Sequence, residues 1–260
     1  MWKITLLIGR TPTLTEMPAP RLVGGPRPHL LVAGRTHLLE IRRSARSARL
    51  RLRIDPKRGI VLNLPPRVSL KAGLAFVERE LDWIVAHLDR LPAPVPFRDG
   101  AVLPLLGVPH RITHAPDRRG FVWREAGEIL VAGGAEHLPR RVRDWTRKVA
   151  KEEISHRAEK YAARIGTSYS GITLRDPASR WGSCSSTGRL NFSWRLLLMP
   201  EEVMDYIVAH EVAHLRHMDH SAAFWALVDE MHPGVPAARK WLRINGADLH
   251  KYGVEPEDRL

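Results

Sequence analysis

Two hydrophobic spacings, one typical of strands and one of helices, follow each other in the first third of the chain. From Arg49 to Ile54 basic and apolar residues alternate singly, which predicts a strand with one basic and one apolar face. Residues 59–64 (GIVLNL) predict a second strand, which a Pro-Pro pair ends. Apolar residues then recur every three or four positions over residues 70–88, and this spacing predicts one helix capped by Ser69.

The remaining elements are predicted from shorter runs of apolar residues. After a proline-rich segment (PAPVP), short strands are predicted at residues 102–106, 111–113, 121–123 and 129–131. A long basic helix is predicted over 139–165, a strand over 172–174, a polar loop over 179–187 and a longer strand over 190–198. Pro200 then opens a helix, with Glu201 and Glu202 at its positive end.

These elements predict an α+β fold in two subdomains behind a flexible tail. The tail covers residues 1–28, which hold several Pro and Gly residues and no periodic pattern. A β-rich N-terminal subdomain with one helix is predicted over residues 29–135. A C-terminal subdomain, in which the Pro200 helix lies beside a small sheet, is predicted over residues 136–260.

Composition adds a basic charge and a single thiol to this picture. The net charge is +13, from 41 Lys and Arg against 28 Asp and Glu; it favours polyanionic partners, although a general preference for arginine gives the same excess. Cys184 is the one cysteine, which excludes an internal disulfide and indicates a reducing compartment. The apolar run at residues 4–8 is too short for a signal peptide or a membrane span. We therefore expect a cytoplasmic protein that does not bind membranes.

The strongest chemical signal is the HExxH motif formed by His210, Glu211 and His214. Residues four apart project from one helix face, so both imidazoles can bind one metal ion, and zinc suits histidine nitrogen. A zinc ion with three protein ligands lowers the pKa of its water to about 7. Glu211, beside the first ligand, can accept the proton of that water as a general base.

Two histidines compete to be the third ligand. On an unbroken helix His217 lies on the ligand face but roughly 10 Å from His210 along the axis, too far for bonds of about 2 Å. His220 becomes reachable if the helix ends near Leu215 and the chain turns back, with Asp219 or Ser221 capping a new helix. We therefore predict one zinc ion per chain, bound by His210, His214 and His220.

Three segments together resemble a known family: RWGSCSS at 180–186, LNFSWR at 190–195 and HEVAHLRHMDHSAAFW at 210–225. They are similar to the YgjP-like zinc metallopeptidases, which are related to the WLM and SprT-like proteases that act on proteins crosslinked to DNA. The resemblance extends from Ile41 to about Trp241 and implies a zincin-like catalytic subdomain. In that family HExxH and a histidine six residues later form the metal site, which implies the same ligand set and the same base, Glu211.

Residues outside the histidine cluster are candidates for binding substrate. Arg180 can hold a carboxylate, a phosphate or a developing oxyanion, and Ser183 can donate a hydrogen bond; Asn191 is a third candidate. In the same segment, Trp181 and Gly182 suit a structural role instead of substrate binding: Trp181 as a core residue and Gly182 in a tight turn. The resemblance further implies that the strand over 190–198 pairs with an extended substrate, the alternative being an ordinary core strand.

Three functions are compatible with this sequence. A zinc metallopeptidase acting on a protein or peptide is the leading one. The same metal site, with arginines holding phosphates, would suit a nucleotide phosphohydrolase. A nucleic-acid-associated protein with a protease-like metal site is the third, since an Arg-rich face could follow a phosphate backbone or hold a nucleotide; a solvated basic face is the alternative. That face comprises Arg42, Arg43, Arg46, Arg49, Arg51, Arg53 and the helix from Arg140 to Lys151.

Overall fold

The computed structural model describes residues 19–55, 59–177 and 180–255. Contacts divide the chain into two compact units that meet at Leu91–Pro92, within the proline-rich segment. This boundary differs from the predicted one at residue 136. The reason is packing: Leu103, Ile112 and Ile129 from the short strands share one hydrophobic core with Leu138 at the start of the long helix.

The first unit contains a five-stranded sheet in the order β1-β2-β3-β5-β4. All neighbouring strands are antiparallel except β3 and β5, which run parallel. Strand β1 lies within the segment predicted to be a flexible tail. That prediction is wrong for β1, because β1 pairs with β2. Residues 1–18 of the same segment lie outside the described residues. The strands are β1 (Arg21–Val23), β2 (His29–Val32), β3 (Arg35–Arg43), β4 (Arg51–Asp55) and β5 (Gly59–Leu64).

Two helical segments, α1 (Leu70–Arg79) and α2 (Leu81–Leu88), take the place of the one predicted helix. They divide at Glu80, whose amide donates to the carbonyls of both Phe76 and Val77 and so tightens the turn. Ser69 caps α1 as predicted. The alternation in β4 is also as predicted, since Arg51 and Arg53 are exposed.

The second unit contains two further sheets. The four-stranded sheet has the order β6-β7-β9-β8 and comprises β6 (Val102–Leu105), β7 (Val108–His114), β8 (Val122–Glu125) and β9 (Glu128–Val131). The three-stranded sheet has the order β10-β12-β11 and comprises β10 (Gly171–Arg175), β11 (Gly182–Cys184) and β12 (Arg189–Ser193). Strand β12 is parallel to β10 and antiparallel to β11.

Four α-helices complete the second unit: α3 (Leu138–Arg164), α4 (Glu201–Ala213), α5 (Ala222–Met231) and α6 (Val235–Asn245). The prediction of a strand over 190–198 is wrong beyond Ser193, because the Ser193 hydroxyl accepts from the Arg195 amide and starts a buried 3₁₀ turn, Trp194–Leu198. The polar loop predicted over 179–187 contains β11. The expectation of mixed helices and small sheets is confirmed, with six α-helices and three sheets in the described residues.

Two buried arginines fix the elements around α4. Arg157 on α3 forms ion pairs with Glu201 at 2.7 Å and Asp205 at 2.6 Å, so α3 is joined to the first part of α4. Arg195 pairs with Asp176 after β10 and also donates to the backbone of the C-terminal 3₁₀ helix, Gly246–Lys251. Within the described ranges, the chain has no helix long and apolar enough to cross a membrane.

Candidate active site

The end of α4 and the turn after it bring the histidines of this segment together. Helix α4 carries His210 and Glu211 and ends at Ala213, with His214 at its C-cap. The chain then turns back, and α5 begins with the Ser221 hydroxyl accepting from the amide of Phe224. The turn places the Nε2 atoms of His210 and His220 3.3 Å apart.

That separation suits a tetrahedral metal site. Two nitrogens bound to one zinc at 2.0–2.1 Å lie about 3.3–3.4 Å apart in tetrahedral geometry. The ligand atoms of His210, His214 and His220 all lie within 4.8 Å of one another. Among the described residues they form the group of three that could hold a metal ion, and His217 is not in it. His217 contributes its backbone instead, because its carbonyl lies 2.9 Å from His214 Nδ1 and leaves Nε2 of that ring for the metal.

Phe224 packs against all three imidazoles. Its ring is fully buried, and the ring centroids lie 4.9 Å from His210, 4.5 Å from His214 and 4.9 Å from His220. Burial, and next the neighbouring histidines, lower the pKa of His210 to about 4. The imidazole is therefore neutral near pH 7, which is the form that binds metal.

Glu211 is buried between α4 and the edge strand β11. A Cβ atom placed on Gly182 would lie 2.5 Å from Glu211 Cγ, so the carboxylate side chain occupies space that only glycine leaves open. Burial raises the pKa of Glu211 to about 7, while the positive charge of Arg180 and a hydrogen bond from the Cys184 amide oppose that rise. A carboxyl group with this pKa can both accept and release a proton at neutral pH.

Among the described residues no strand pairs with the outer edge of β11, whereas β12 lies between two strands. The expectation that the strand over 190–198 pairs with substrate is therefore wrong, because both edges of β12 are occupied. On either side of β11, the carbonyl of Trp181 accepts from the Ser193 amide and the amide of Ser185 donates to the Arg189 carbonyl, so both point toward β12. By the alternation of an antiparallel ladder, the backbone groups of Gly182 and Cys184 point to the outer edge, next to Glu211.

Two of the three predicted substrate residues, Ser183 and Asn191, lie on the sheet face that points away from Glu211, and the third, Arg180, lies before the strand. Gly182 faces Glu211, so Ser183, the next residue along the strand, faces the opposite side. Asn191 is the cross-strand partner of Ser183, and its Nδ2 lies 3.4 Å from Ser183 Oγ. Arg180 precedes the strand, close enough for its charge to act on Glu211. Of the three, Arg180 is thus the residue that the structure brings to the histidine site.

Comparison with known proteins agrees with this geometry at the level of the family. The model of the YgjP-like metallopeptidase domain matches residues 48–245, about three quarters of the chain. The chain belongs to the YgjP-like metallopeptidase family. The crystal structure of the metallopeptidase zymogen of Pyrococcus abyssi abylysin is 27% identical over 36% of this chain and 92% of that chain, with a TM-score of 0.32 that says nothing further about the fold. No curated protein matches the chain.

Several contacts in this YgjP-like metallopeptidase were not found by sequence reasoning. The sequence predicts a tight turn at Gly182 and does not indicate the contacts that Phe224 and the Cys184 amide make. Arg239 on α6 was also missed, although its charge helps to lower the pKa of His210. No local signal marks Gly182, Cys184 or Arg239, because each acts on a residue far away in the sequence. Only the RWGSCSS segment of the family resemblance indicates β11.

Proposed function

We propose that this protein is a zinc-dependent peptidase in which His210, His214 and His220 hold the zinc and Glu211 is the general base. The observation that carries the proposal is the convergence of three imidazoles with a buried carboxylate beside an open strand edge. Membership of the YgjP-like family makes it a metallopeptidase; the metal, the base and the zincin-like arrangement are what the proposal adds.

The choice of zinc rests on the donor set. Three neutral imidazole nitrogens suit zinc in a catalytic site, which keeps a further position open. Bound there, zinc would lower the pKa of water and polarise the peptide carbonyl. The chain itself holds the rings in place through Phe224 and through the hydrogen bond between His214 and the His217 carbonyl.

Glu211 moves protons in this proposal. It accepts one from the attacking water and passes it to the amine that leaves, so the same carboxyl group acts first as base and then as acid. Its burial keeps its pKa near the working pH. Arg180 opposes the rise in that pKa, so that an ionised fraction of Glu211 is present at neutral pH.

The outer edge of β11 is proposed to bind the substrate backbone. The Cys184 amide donates to Glu211. The outward amide of Gly182 and the outward carbonyl groups of Gly182 and Cys184 can pair with an extended peptide, and such pairing does not depend on sequence. Glu211 lies against the same two residues, which brings a paired peptide bond close to the base.

Metal analysis and peptide cleavage test the proposal together. We expect one zinc per chain and cleavage of a peptide library, with Glu211→Gln keeping the zinc and losing roughly a hundred- to ten-thousand-fold in rate. Glu202→Gln is the matched control, because Glu202 is an exposed residue of the same helix. Release of phosphate from nucleotides without peptide cleavage would instead favour the phosphohydrolase alternative and refute the proposal.

A further inference from the structure

A pocket of about 290 Å³ lies beside β11, with Arg175, Arg180, Ser183 and Asn191 in its lining. The two faces of the three-stranded sheet differ in character. Leu190 and Phe192 are buried in the core on one face, whereas Ser183 and Asn191 belong to the other. Of the described residues that line the pocket, two are arginines and none is acidic.

The hydrogen bonds inside the pocket leave mainly donors for a ligand. Arg175 Nε donates to Asn191 Oδ1 at 3.2 Å, which occupies the amide oxygen. The Asn191 amide nitrogen in turn lies 3.4 Å from Ser183 Oγ. The remaining guanidinium N–H groups of Arg175, together with the exposed Arg180, present positive charge and donors that match a carboxylate.

The pocket is placed to meet a substrate side chain. Along β11, Gly182 faces Glu211 and Ser183 faces the pocket. A peptide paired with the outer edge of β11 continues this alternation, so its residue opposite Ser183 projects on the pocket side. Its two neighbours in the peptide project on the side of Glu211.

We propose that this pocket takes the acidic side chain, Asp or Glu, of a peptide bound along β11, and so makes the enzyme selective for acidic substrates. The inference rests on the proposed peptidase function. It assigns the selectivity to charge at one substrate position, while the backbone pairing remains independent of sequence.

Binding provides the first test. Capped alanine-based peptides that carry a single Glu, Gln or Lys are titrated against zinc-loaded Glu211→Gln by fluorescence anisotropy. We expect the Glu peptide to bind about tenfold more tightly than the Gln peptide, the size of one charge-assisted hydrogen bond at an exposed site. Arg175→Glu should abolish that ratio and favour the Lys peptide, an inversion that general damage to the fold would not produce.

Arg189→Gln is the matched control. Arg189 lies on the same sheet face and donates to Thr173 Oγ1, but it does not line the pocket. The control removes one positive charge from this sheet face, where Arg175→Glu reverses one, and it should leave the ratio between the Glu and Gln peptides unchanged. A ratio near one in the parent protein, or an equal loss in Arg175→Glu and Arg189→Gln, would overturn the inference.

Cleavage by the unsubstituted enzyme separates this inference from the proposed function. Mass spectrometry of the library products identifies the cleaved peptide bond. A preference for Asp or Glu should then appear at one substrate position and not at its two neighbours. Cleavage without any such preference would refute the selectivity proposed for the pocket and would still support the proposed peptidase function. Selective binding of the Glu peptide without cleavage of any peptide would support the selectivity proposed for the pocket and refute the proposed peptidase function.

Discussion

Replacing Gly182 by alanine would place a methyl group where the side chain of Glu211 now lies. The new Cβ would be 2.5 Å from Glu211 Cγ, 2.6 Å from Oε1 and 2.8 Å from Cδ. Ordinary contact requires 3.4 Å or more, so the carboxylate must retreat by about 1 Å. Glu211 is only 7% exposed and has little room to do so without leaving its position beside the histidines.

The expected effect follows from that displacement. A misplacement of about 1 Å at a reacting group can lower the rate roughly 100-fold. General-base catalysis as a whole is worth roughly a hundred- to ten-thousand-fold, so the loss should fall near the lower end of that range. The zinc content should not change, because the three atoms nearest to the new Cβ all belong to Glu211 and none to a histidine.

The assay is kcat on a cleaved library peptide, with zinc content and thermal unfolding measured on the same preparation. Gly246→Ala is the matched control, since its new Cβ would lie 3.4 Å from the ring of Trp181, which is ordinary contact, and its backbone is already helical. The control should retain its kcat, because the new Cβ of this buried residue meets Trp181 only at ordinary contact distance. If Gly182→Ala keeps its zinc and its kcat, Glu211 is not held as the base by β11.

Three further predictions concern the metal, the pH profile and the fold. His220→Ala should lose most of the zinc, whereas His217→Ala should keep it because its backbone carbonyl remains; elemental analysis showing the reverse would refute the ligand set. Arg180→Gln removes a charge that lowers the pKa of Glu211, so the acidic limb of the kcat/KM profile should move to higher pH, and an unmoved limb would contradict this. Arg195→Ala should lower the free energy of unfolding by about 3–5 kcal/mol in urea denaturation, since it removes a buried guanidinium that pairs with Asp176 and donates to the Leu249 carbonyl; a loss below about 1 kcal/mol would contradict this.

Local spacing was sufficient to predict much of the fold and the centre of the site. The alternation in β4 and the helical spacing after Ser69 give the elements that the structure shows, apart from the break at Glu80. The pairing of His210 with His214 follows from the helix itself, because residues four apart lie on one face. Such features depend on neighbours a few positions away, and the sequence contains them directly.

The turn after α4 marks the limit of that reasoning. The sequence offered both His217 and His220, and the preference for His220 required a helix end that only capping residues suggested. In the structure the helix ends at Ala213, and the turn brings His220 back to His210. The ligand set itself remains a prediction until the metal is measured.

Only the tertiary structure decided how the three-stranded sheet meets the site. It placed β12 between two strands, left β11 at the edge, and turned Ser183 away from Glu211. It also moved the unit boundary to Leu91, because strands 102–131 share the core of the second unit. Strand order and the side of a sheet are set by pairing between residues far apart in the chain, and a shift of one residue in that pairing would exchange the two faces. Local spacing does not contain that information.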